Sequence, residues 1–122
     1  MDLIRITEEY YDFVRNLRTH PENAPHFIEQ VTITEEQQKK YMSEHGDNYY
    51  IALDEDVALG YVGVIDDDIR ICTDPAHKGT GVGKFMLTEI KRLYPKASGK
   101  IKTNNVASRK LFDSCKVSYE LI

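Results

Sequence analysis

The sequence predicts an α/β (α+β) domain in which helices flank a mixed, mostly antiparallel sheet, in the order β-α-α-β-β-β-α-β-α-β. Three observations support this order. Runs with a two-residue hydrophobic period alternate with runs of helical period, polar turns separate the middle strands, and a glycine-rich turn leads into a helix. We expect one domain over residues 1–122, because no linker, repeat or low-complexity segment interrupts the pattern.

A strand and two helices are predicted in the first third of the chain. DLIRIT, residues 2–7, alternates in hydrophobicity as a short strand does, and Thr7 is placed to cap the next helix. That helix is predicted by apolar residues that share one face: Tyr10, Phe13, Val14 and Leu17. Thr34 and Gln37 have the spacing of a capping box, which predicts a second helix that extends to about Glu44.

Hydrophobicity then alternates with a period of two, which predicts three strands. The acidic pair Glu55-Asp56 indicates a tight hairpin between the first two strands, and the acidic run 66–68 forms the next turn. The three runs are NYYIALDE (48–55), DVALGYVGVI (56–65) and IRICT (69–73).

The last third of the chain alternates between helices and strands. Apolar residues at helical spacing begin at Val82, and Pro95 ends that helix. GKIKT, residues 99–103, follows as a strand, and either Asn104 or Asn105 caps the last helix. VSYELI, residues 117–122, is predicted as the final strand.

Composition excludes several classes of protein. The net charge of −4 disfavours a dedicated nucleic-acid binder and mildly favours amines over anions as substrates. The N-terminus has no apolar signal region and no run approaches membrane-spanning length, so we expect a cytoplasmic protein without a membrane partner.

Cys72 and Cys115 have no metal-ligand spacing and are expected to be buried, reduced thiols. His20, His26 and His45 also lack such spacing, so no metal is expected.

The stretch DPAHKGTGVGKFM, residues 74–86, holds three glycines within five positions just before a helix. Glycines allow close approach of the backbone to a ligand, and the unpaired amides of a helix N-terminus attract anions. The spacing is not that of a P-loop, because Lys78 stands five residues before Gly83 and Phe85 follows Lys84. It also differs from dinucleotide-binding and kinase loops. A turn that binds nothing stays open as the alternative.

This stretch resembles the central motif of the GNAT superfamily of acyl-CoA-dependent N-acyltransferases, in which Arg or Gln is followed by two spaced glycines. Gly81 and Gly83 match, and Lys78 stands where Arg or Gln is usual. ICTDP, residues 71–75, is similar to the strand before the family's loop, and NVASRKLF, residues 105–112, is similar to its later Asn-x-Ala-Ser helix. The resemblance is good from about residue 49 to 117.

The resemblance implies that acetyl-CoA is the co-substrate. Amides of residues 79–84 would hold its pyrophosphate, and strand 71–73 would separate from its neighbour and pair with the pantetheine. The amide of about Thr73, or a neighbour, would stabilise the oxyanion. Asn105 matches the family position that binds the pantetheine arm. The implied coenzyme site comprises Ile71, Cys72, Thr73, Lys78, Gly79, Thr80, Gly81, Val82, Gly83, Lys84, Asn105, Ser108 and Phe112.

The resemblance also implies direct attack of an amine on the thioester, which requires a group that removes the amine's proton. Asp67 and Asp68 match the position of that base in several family members, although a polar hairpin turn is the alternative. His77 is more simply a solvated loop residue. The family's general acid is often a tyrosine in the last helix, and Phe112 stands at that position. Tyr119 or water would then replace it.

The residues before the strands are expected to form the acceptor wall. Residues 17–42 faintly resemble enzymes that acylate amino sugars, and protein acetyltransferases share similar features. The pair Tyr49-Tyr50 is a candidate for lining this pocket. The short chain further indicates an open acceptor site or one completed by a partner, such as a second copy in a homodimer.

The sequence therefore predicts an N-acetyltransferase that acts on a primary amine of a small molecule or protein. A degenerate acyl-CoA-binding or interaction module is the alternative.

Overall fold

The three runs of alternating hydrophobicity form the centre of an antiparallel sheet. In the computed structural model, which describes residues 1–23, 25 and 33–122, four strands lie in the order β1-β2-β3-β4. All neighbouring pairs are antiparallel, as predicted. The strands are β1 (Asp2–Arg5), β2 (Tyr49–Asp54), β3 (Val57–Ile65) and β4 (Asp68–Thr73).

Within the described residues, four α-helices and two short strands complete the structure, and the element order agrees with the prediction. The short strands pair in parallel with each other in a separate two-stranded sheet, which the sequence pattern did not reveal. These elements are α1 (Tyr11–Thr19), α2 (Glu35–His45), α3 (Val82–Leu93), β5 (Gly99–Ile101), α4 (Val106–Ser114) and β6 (Tyr119–Leu121). In the part of the chain that the structure describes, no helix is both long and apolar enough to cross a membrane.

Both acidic turns are two-residue hairpins. Glu55 and Asp56 have φ angles of 48° and 68°, and Asp66 and Asp67 have φ angles of 51° and 62°. Positive φ at both central residues matches the right-handed twist of the flanking strands, which is why such turns join hairpins. The tight hairpin predicted at Glu55-Asp56 is therefore confirmed.

The sheet separates two hydrophobic layers, because successive side chains of a strand point to opposite faces. The front face, which we define as the face covered by α1 and α2, includes Val14, Leu17, Met42, Tyr49, Ile51, Tyr61 and Cys72. The back face, covered by α3 and α4, includes Tyr50, Ala52, Val62, Ile69, Val82, Met86, Ile90 and Phe112.

Two of the three predicted helix caps form. Thr34 accepts a hydrogen bond from the Gln37 amide while the Gln37 side chain binds the Thr34 amide, which confirms the capping box. Asn105 caps α4. The prediction for Thr7 is wrong, because its hydroxyl donates to the Glu9 carboxylate and the short helical turn 8–10 precedes α1.

Strands β4 and β5 meet at one end and then separate. The Ile69 amide donates to the Ser98 carbonyl at 2.8 Å, and the Ser98 amide donates to the Asp67 carbonyl at 2.9 Å. These two bonds form an isolated parallel bridge between Asp68 and Ser98. Beyond this bridge β5 pairs with β6 instead of β4. The far half of β4 is consequently an open edge inside the molecule.

We predict that Gly60→Ala destabilises the fold because β4 and α3 approach this β3 residue closely. An added Cβ would lie 2.7 Å from the Cys72 carbonyl oxygen and 2.9 Å from Met86 Cε. Overpacking of this kind costs about 1–3 kcal/mol. Chemical denaturation should show this loss, whereas Gly46→Ala, with no contact closer than 3.6 Å, should leave stability unchanged or raised. Equal unfolding free energies for the two variants would contradict the packing described.

Candidate active site

A cleft of about 720 Å³ opens where β4 and β5 separate. Its walls come from β4, the glycine-rich turn, the first turn of α3, strand β5, helix α4 and the front face of the sheet. Of the predicted coenzyme-binding residues, the structure brings all except Thr80 to this cleft. The Thr80 hydroxyl instead donates to the His77 carbonyl within the turn.

The open edge of β4 presents backbone amides to the cleft. The Asp74 amide donates to Leu59 on β3, and the Ile69 amide donates to Ser98 on the other side. Because amides alternate in direction along a strand, those of Ile71 and Thr73 also point away from β3. Both residues come after the bridge to Ser98 along β4. The predicted separation of this strand from its neighbour is confirmed, and in the described part of the chain these two amides have no backbone acceptor, so an extended ligand could pair with them.

A second set of amides lies where the glycine-rich turn becomes α3. The first α-helical bond within α3 is donated by Phe85 to the Gly81 carbonyl. Within the described residues, no backbone acceptor is found for the amides of residues 79–84. Gly79 and Gly81 have φ angles of 79° and 87°, and nothing lies within 4 Å of a Cβ built on either. The turn is thus an open cradle of donors at a helix N-terminus, which suits a phosphate.

Gly83 serves packing as well as the cradle. A Cβ at this position would lie 3.1 Å from Leu111 Cδ2 on α4 and 3.6 Å from Thr73 Oγ1 on β4. From the sequence, Gly81 and Gly83 were predicted to have the same role in coenzyme binding. The structure separates them, because only Gly81 has a left-handed backbone and open space around its Cα.

Helix α4 forms the wall opposite β4. Asn105 Oδ1 accepts a hydrogen bond from the Ser108 amide at 3.2 Å, and both residues line the cleft. Phe112 also lines it, although only 2% of this residue is exposed. The Phe112 ring packs edge to face against Tyr119 at a centroid distance of 5.8 Å. The position at which the resemblance implied a general acid therefore carries no hydroxyl.

Tyr119 does not reach the cleft. Its hydroxyl donates to the Asp113 carboxylate at 2.8 Å, and this hydrogen bond raises the pKa of Tyr119. Phe112 lines the cleft, whereas Tyr119 is not among the lining residues of the described chain. The geometry does not support the predicted catalytic role for Tyr119, because its hydroxyl is already engaged elsewhere.

The structure places the two candidate bases, Asp67 and Asp68, in different surroundings. Asp67 is an exposed residue of the hairpin turn, and its carbonyl, not its side chain, binds Ser98. Asp68 lines the cleft, and its Oδ2 lies 3.7 Å from Arg70 Nε. Asp67 thus fits the polar-turn alternative, and of the two candidate bases only Asp68 lines the cleft.

Front-face residues form the remaining wall of the cleft. Tyr49 lines it, whereas Tyr50 faces the back layer and shares a hydrogen bond with Tyr94 at 3.2 Å. Burial and a 2.7 Å hydrogen bond to the Tyr41 hydroxyl raise the pKa of Tyr49. The other front-face lining residues are Arg18, Asn23, Tyr61, Arg70 and Cys72.

Sequence reasoning missed several of these lining residues. Arg18, Asn23, Arg70 and Lys100 have no motif that marks them, and they are brought together only by the packing of α1 and β5 around β4. The one available signal was the position of Arg70 in the strand before the glycine-rich turn, one residue from the predicted coenzyme-binding run.

The chemistry available to Cys72 is limited by its surroundings. Burial raises the pKa of the Cys72 thiol to about 12, so it stays protonated at neutral pH.

Cys115 is only partly buried, contrary to the prediction. His26 lies outside the described residues. Among the residues that the structure describes, no three His, Cys, Asp or Glu side chains are grouped to hold a metal.

Comparisons with known proteins agree with this geometry. Residues 8–116 match the model of the acetyltransferase (GNAT) family. The chain therefore belongs to that family and is an acetyl-CoA-dependent N-acetyltransferase. No curated protein matches the sequence.

Solved structures share the fold at low sequence identity. A domain from Methanocaldococcus jannaschii DSM 2661 is 20% identical, with a TM-score of 0.79, over 94% of this chain and 86% of that one. Ribosomal-protein-alanine N-acetyltransferase from Brucella melitensis is 16% identical, with a TM-score of 0.81, over 93% and 82%. Spermidine N-acetyltransferase from Vibrio cholerae, solved with CoA and spermine, is 13% identical, with a TM-score of 0.80, over 93% and 78%.

The residues in the cleft fit acetyl-CoA. The donor cradle at 79–84 suits the pyrophosphate, and the open edge at Ile71 and Thr73 suits the amides of the pantetheine arm. Lys78, Lys84 and Lys100 add positive charge around the cleft. When bound, acetyl-CoA supplies an activated acetyl thioester.

We predict that Gly81→Ala weakens acetyl-CoA binding by about tenfold, because a side chain at left-handed φ costs roughly 1–2 kcal/mol and distorts the cradle. Isothermal calorimetry measures this loss directly. Gly46→Ala is the matched control, since Gly46 has an ordinary helical φ of −58° away from the cleft. Wild-type affinity in a folded Gly81→Ala variant would show that the turn does not hold the coenzyme.

Proposed function

We propose that the enzyme transfers acetyl from acetyl-CoA directly to a primary amine of a small molecule, amino sugars included, or of a protein. One observation carries this proposal: the open edge of β4 offers the amides of Ile71 and Thr73 on the coenzyme side, with Asp68 of the same strand beside the front-face wall. An acyl donor and an amine would meet along this one strand.

The coenzyme-binding role rests mainly on backbone groups. Amides of residues 79–84 would hold the pyrophosphate, and the Thr73 amide would pair with the pantetheine arm. Asn105 and Ser108, at the start of α4, would contact the arm from the opposite wall. Because backbone amides do this work, side chains such as Cys72 and Thr73 need not follow a strict pattern.

Asp68 would act as the general base. An ammonium ion cannot attack a thioester, so Asp68, directly or through water, accepts a proton from the acceptor amine. The amine nitrogen then forms a bond to the carbonyl carbon, and the carbon–sulfur bond breaks. The products are the N-acetylated amine, coenzyme A and the released proton.

The Ile71 amide would stabilise the charge that develops on the thioester oxygen. A ligand that enters from the α3 cradle passes Thr73 first and reaches Ile71 next, before the bridge to Ser98 closes the cleft. Ile71 N–H is therefore the innermost free donor of β4. A fixed amide in a site with little water is an effective oxyanion donor. The resemblance had implied this role for the amide of about Thr73 or a neighbour, and the proposal assigns it to Ile71, two residues away.

The coenzyme thiolate would leave without a protein acid at position 112. The thiol of a free cysteine has a pKa of about 8.5, and a thiolate of similar basicity leaves readily. Phe112 has no proton to give, and Tyr119 is engaged by Asp113. Water would then protonate the thiolate. Direct transfer requires no acyl carrier, and burial, which raises the pKa of the Cys72 thiol, disfavours the thiolate that such a role would need.

We predict that Asp68→Asn lowers the rate of thiol release by roughly 10²-fold or more at neutral pH, because the variant keeps the size of Asp68 but loses its basic oxygen. The rate should recover partly at higher pH, where the free amine is abundant. Acetyl-CoA affinity should stay unchanged, since the cradle lies at the other end of β4.

Asp67→Asn is the matched control. Asparagine tolerates the left-handed conformation that Asp67 adopts, so this variant should retain full activity. Full activity of Asp68→Asn from pH 6 to 9 would remove Asp68 from the mechanism. The alternative of a non-catalytic acyl-CoA-binding module requires acetyl-CoA binding without thiol release on any amine, peptides and amino sugars included.

A further inference from the structure

The charge of the cleft is opposite to the charge of the chain. The chain carries a net charge of −4, yet among the described residues that line the cleft five are cationic and one, Asp68, is acidic. The cationic residues are Arg18, Arg70, Lys78, Lys84 and Lys100. A cleft that bound only a polyanionic coenzyme and a cationic acceptor would need positive charge at the phosphates alone.

The five cations fall into two groups. Lys78 and Lys84 flank the donor cradle, and Lys100 lies on β5, so these three can serve the phosphates of the coenzyme. Arg70 points to the opposite face of the sheet, because it pairs across the strands with Gly63 and Tyr49 of the front face. Arg18 is on α1, which covers that same face. The two arginines therefore lie on the acceptor side.

Arg70 is placed to take a ligand. It is 43% exposed in its side chain, and its Nε lies 3.7 Å from Asp68 Oδ2. This distance is well beyond the roughly 2.7–2.9 Å of a charge-assisted hydrogen bond. The planar guanidinium has five N–H donors, so an incoming oxyanion can bind Arg70 while Asp68 stays nearby.

Arg18 extends the positive field along the same wall. Burial raises the pKa of Tyr49, Tyr61 and Cys72, and the Arg18 guanidinium opposes that rise at all three groups. Arg70 opposes it at Tyr49 as well. The two guanidiniums therefore act on one shared patch of the front-face wall, where the Tyr49 hydroxyl is a further hydrogen-bonding group.

We propose that the acceptor is a primary amine that also carries an oxyanion, either a carboxylate or a phosphate, and that Arg70 with Arg18 binds this oxyanion. The inference rests on the proposed N-acetylation. Asp68 lies two residues from Arg70 on the same strand face and would meet the amine while Arg70 holds the oxyanion. A polyamine fits this wall poorly, because two arginines oppose it and one aspartate attracts it. The positive charge of the cleft therefore favours an anionic group on the acceptor, whereas the net charge of the chain favoured amines over anions.

Matched acceptor pairs test this assignment. An α-amino acid and its amide differ only in the carboxylate, glucosamine 6-phosphate and glucosamine differ only in the phosphate, and spermidine represents the polyamines. We expect kcat/KM from thiol release to be at least about tenfold higher for the oxyanion member of a pair, since one charge-assisted contact contributes about 1.5–3 kcal/mol. The pair that shows the preference identifies the oxyanion as carboxylate or phosphate.

Variants of Arg70 separate recognition from folding. Arg70→Gln should lower kcat/KM at least tenfold for the oxyanion acceptor, mainly through KM, and change it little for the neutral analogue. Arg70→Lys should restore part of the loss, and Arg18→Gln should weaken the same preference. Arg92→Gln is the control, because Arg92 pairs with Glu89 on α3 outside the cleft. Acetyl-CoA affinity should be equal in all four variants.

A binding measurement covers the case in which none of these amines is the natural acceptor. In the presence of coenzyme A, calorimetry compares N-acetyl amino acids and N-acetylglucosamine 6-phosphate with their uncharged counterparts. Wild-type preference for a charged product, lost in Arg70→Gln, supports the inference.

Three results would overturn the inference. The first is faster turnover of spermidine, or of the neutral member of a pair, than of the oxyanion acceptors. The second is an equal preference for the oxyanion acceptor in wild type and Arg70→Gln. The third is equal binding of charged and uncharged products. Acetyl-CoA binding without turnover of any amine would instead count against the proposed function, while the product-binding comparison would still decide the role of Arg70.

Discussion

The site depends on the point at which β4 and β5 stop pairing. Two hydrogen bonds, from Ile69 to Ser98 and from Ser98 to Asp67, hold the strands together at one end. β5 then pairs with β6, so among the described residues the outward amides in the rest of β4 have no backbone partner. Unpaired buried amides are costly unless a ligand or water satisfies them. The separation therefore creates both the cleft and the demand for an extended, hydrogen-bonding ligand such as the pantetheine arm.

In the proposed mechanism, strand β4 serves both substrates. Its edge and the α3 cradle would bind the coenzyme through backbone donors, while its front-face side chains Asp68 and Arg70 would meet the acceptor. Because the edge amides and the side chains of a strand point in different directions, the two sets of binding groups stay separate. The left-handed glycines of the cradle allow a ligand to approach the backbone closely. Gly83 and Gly60 are instead required by close packing against neighbouring elements.

Local sequence signals predicted the fold well. Alternating runs, two acidic hairpin turns and a capping box are local features, and each acts over a few residues. Thr7 failed as a cap because a short helical turn intervenes before α1. The donor cradle at residues 79–84 could be predicted from its motif for the same reason, since these residues are contiguous. Arg18, Arg70 and Lys100 were missed because only tertiary packing brings α1, β4 and β5 together. The contact between the Tyr119 hydroxyl and Asp113 also could not be predicted, because it depends on how β6 packs beside α4.

Amide hydrogen exchange at β4, measured by NMR with and without saturating acetyl-CoA, tests the central claim most directly. The amides of Arg70 and Cys72 already bind β3, so their exchange should change little. Those of Ile71 and Thr73 face the cleft, and acetyl-CoA should slow their exchange strongly by pairing with them. Unchanged exchange at Ile71 and Thr73, with acetyl-CoA shown to be bound, would contradict the claim that the open edge of β4 holds the coenzyme.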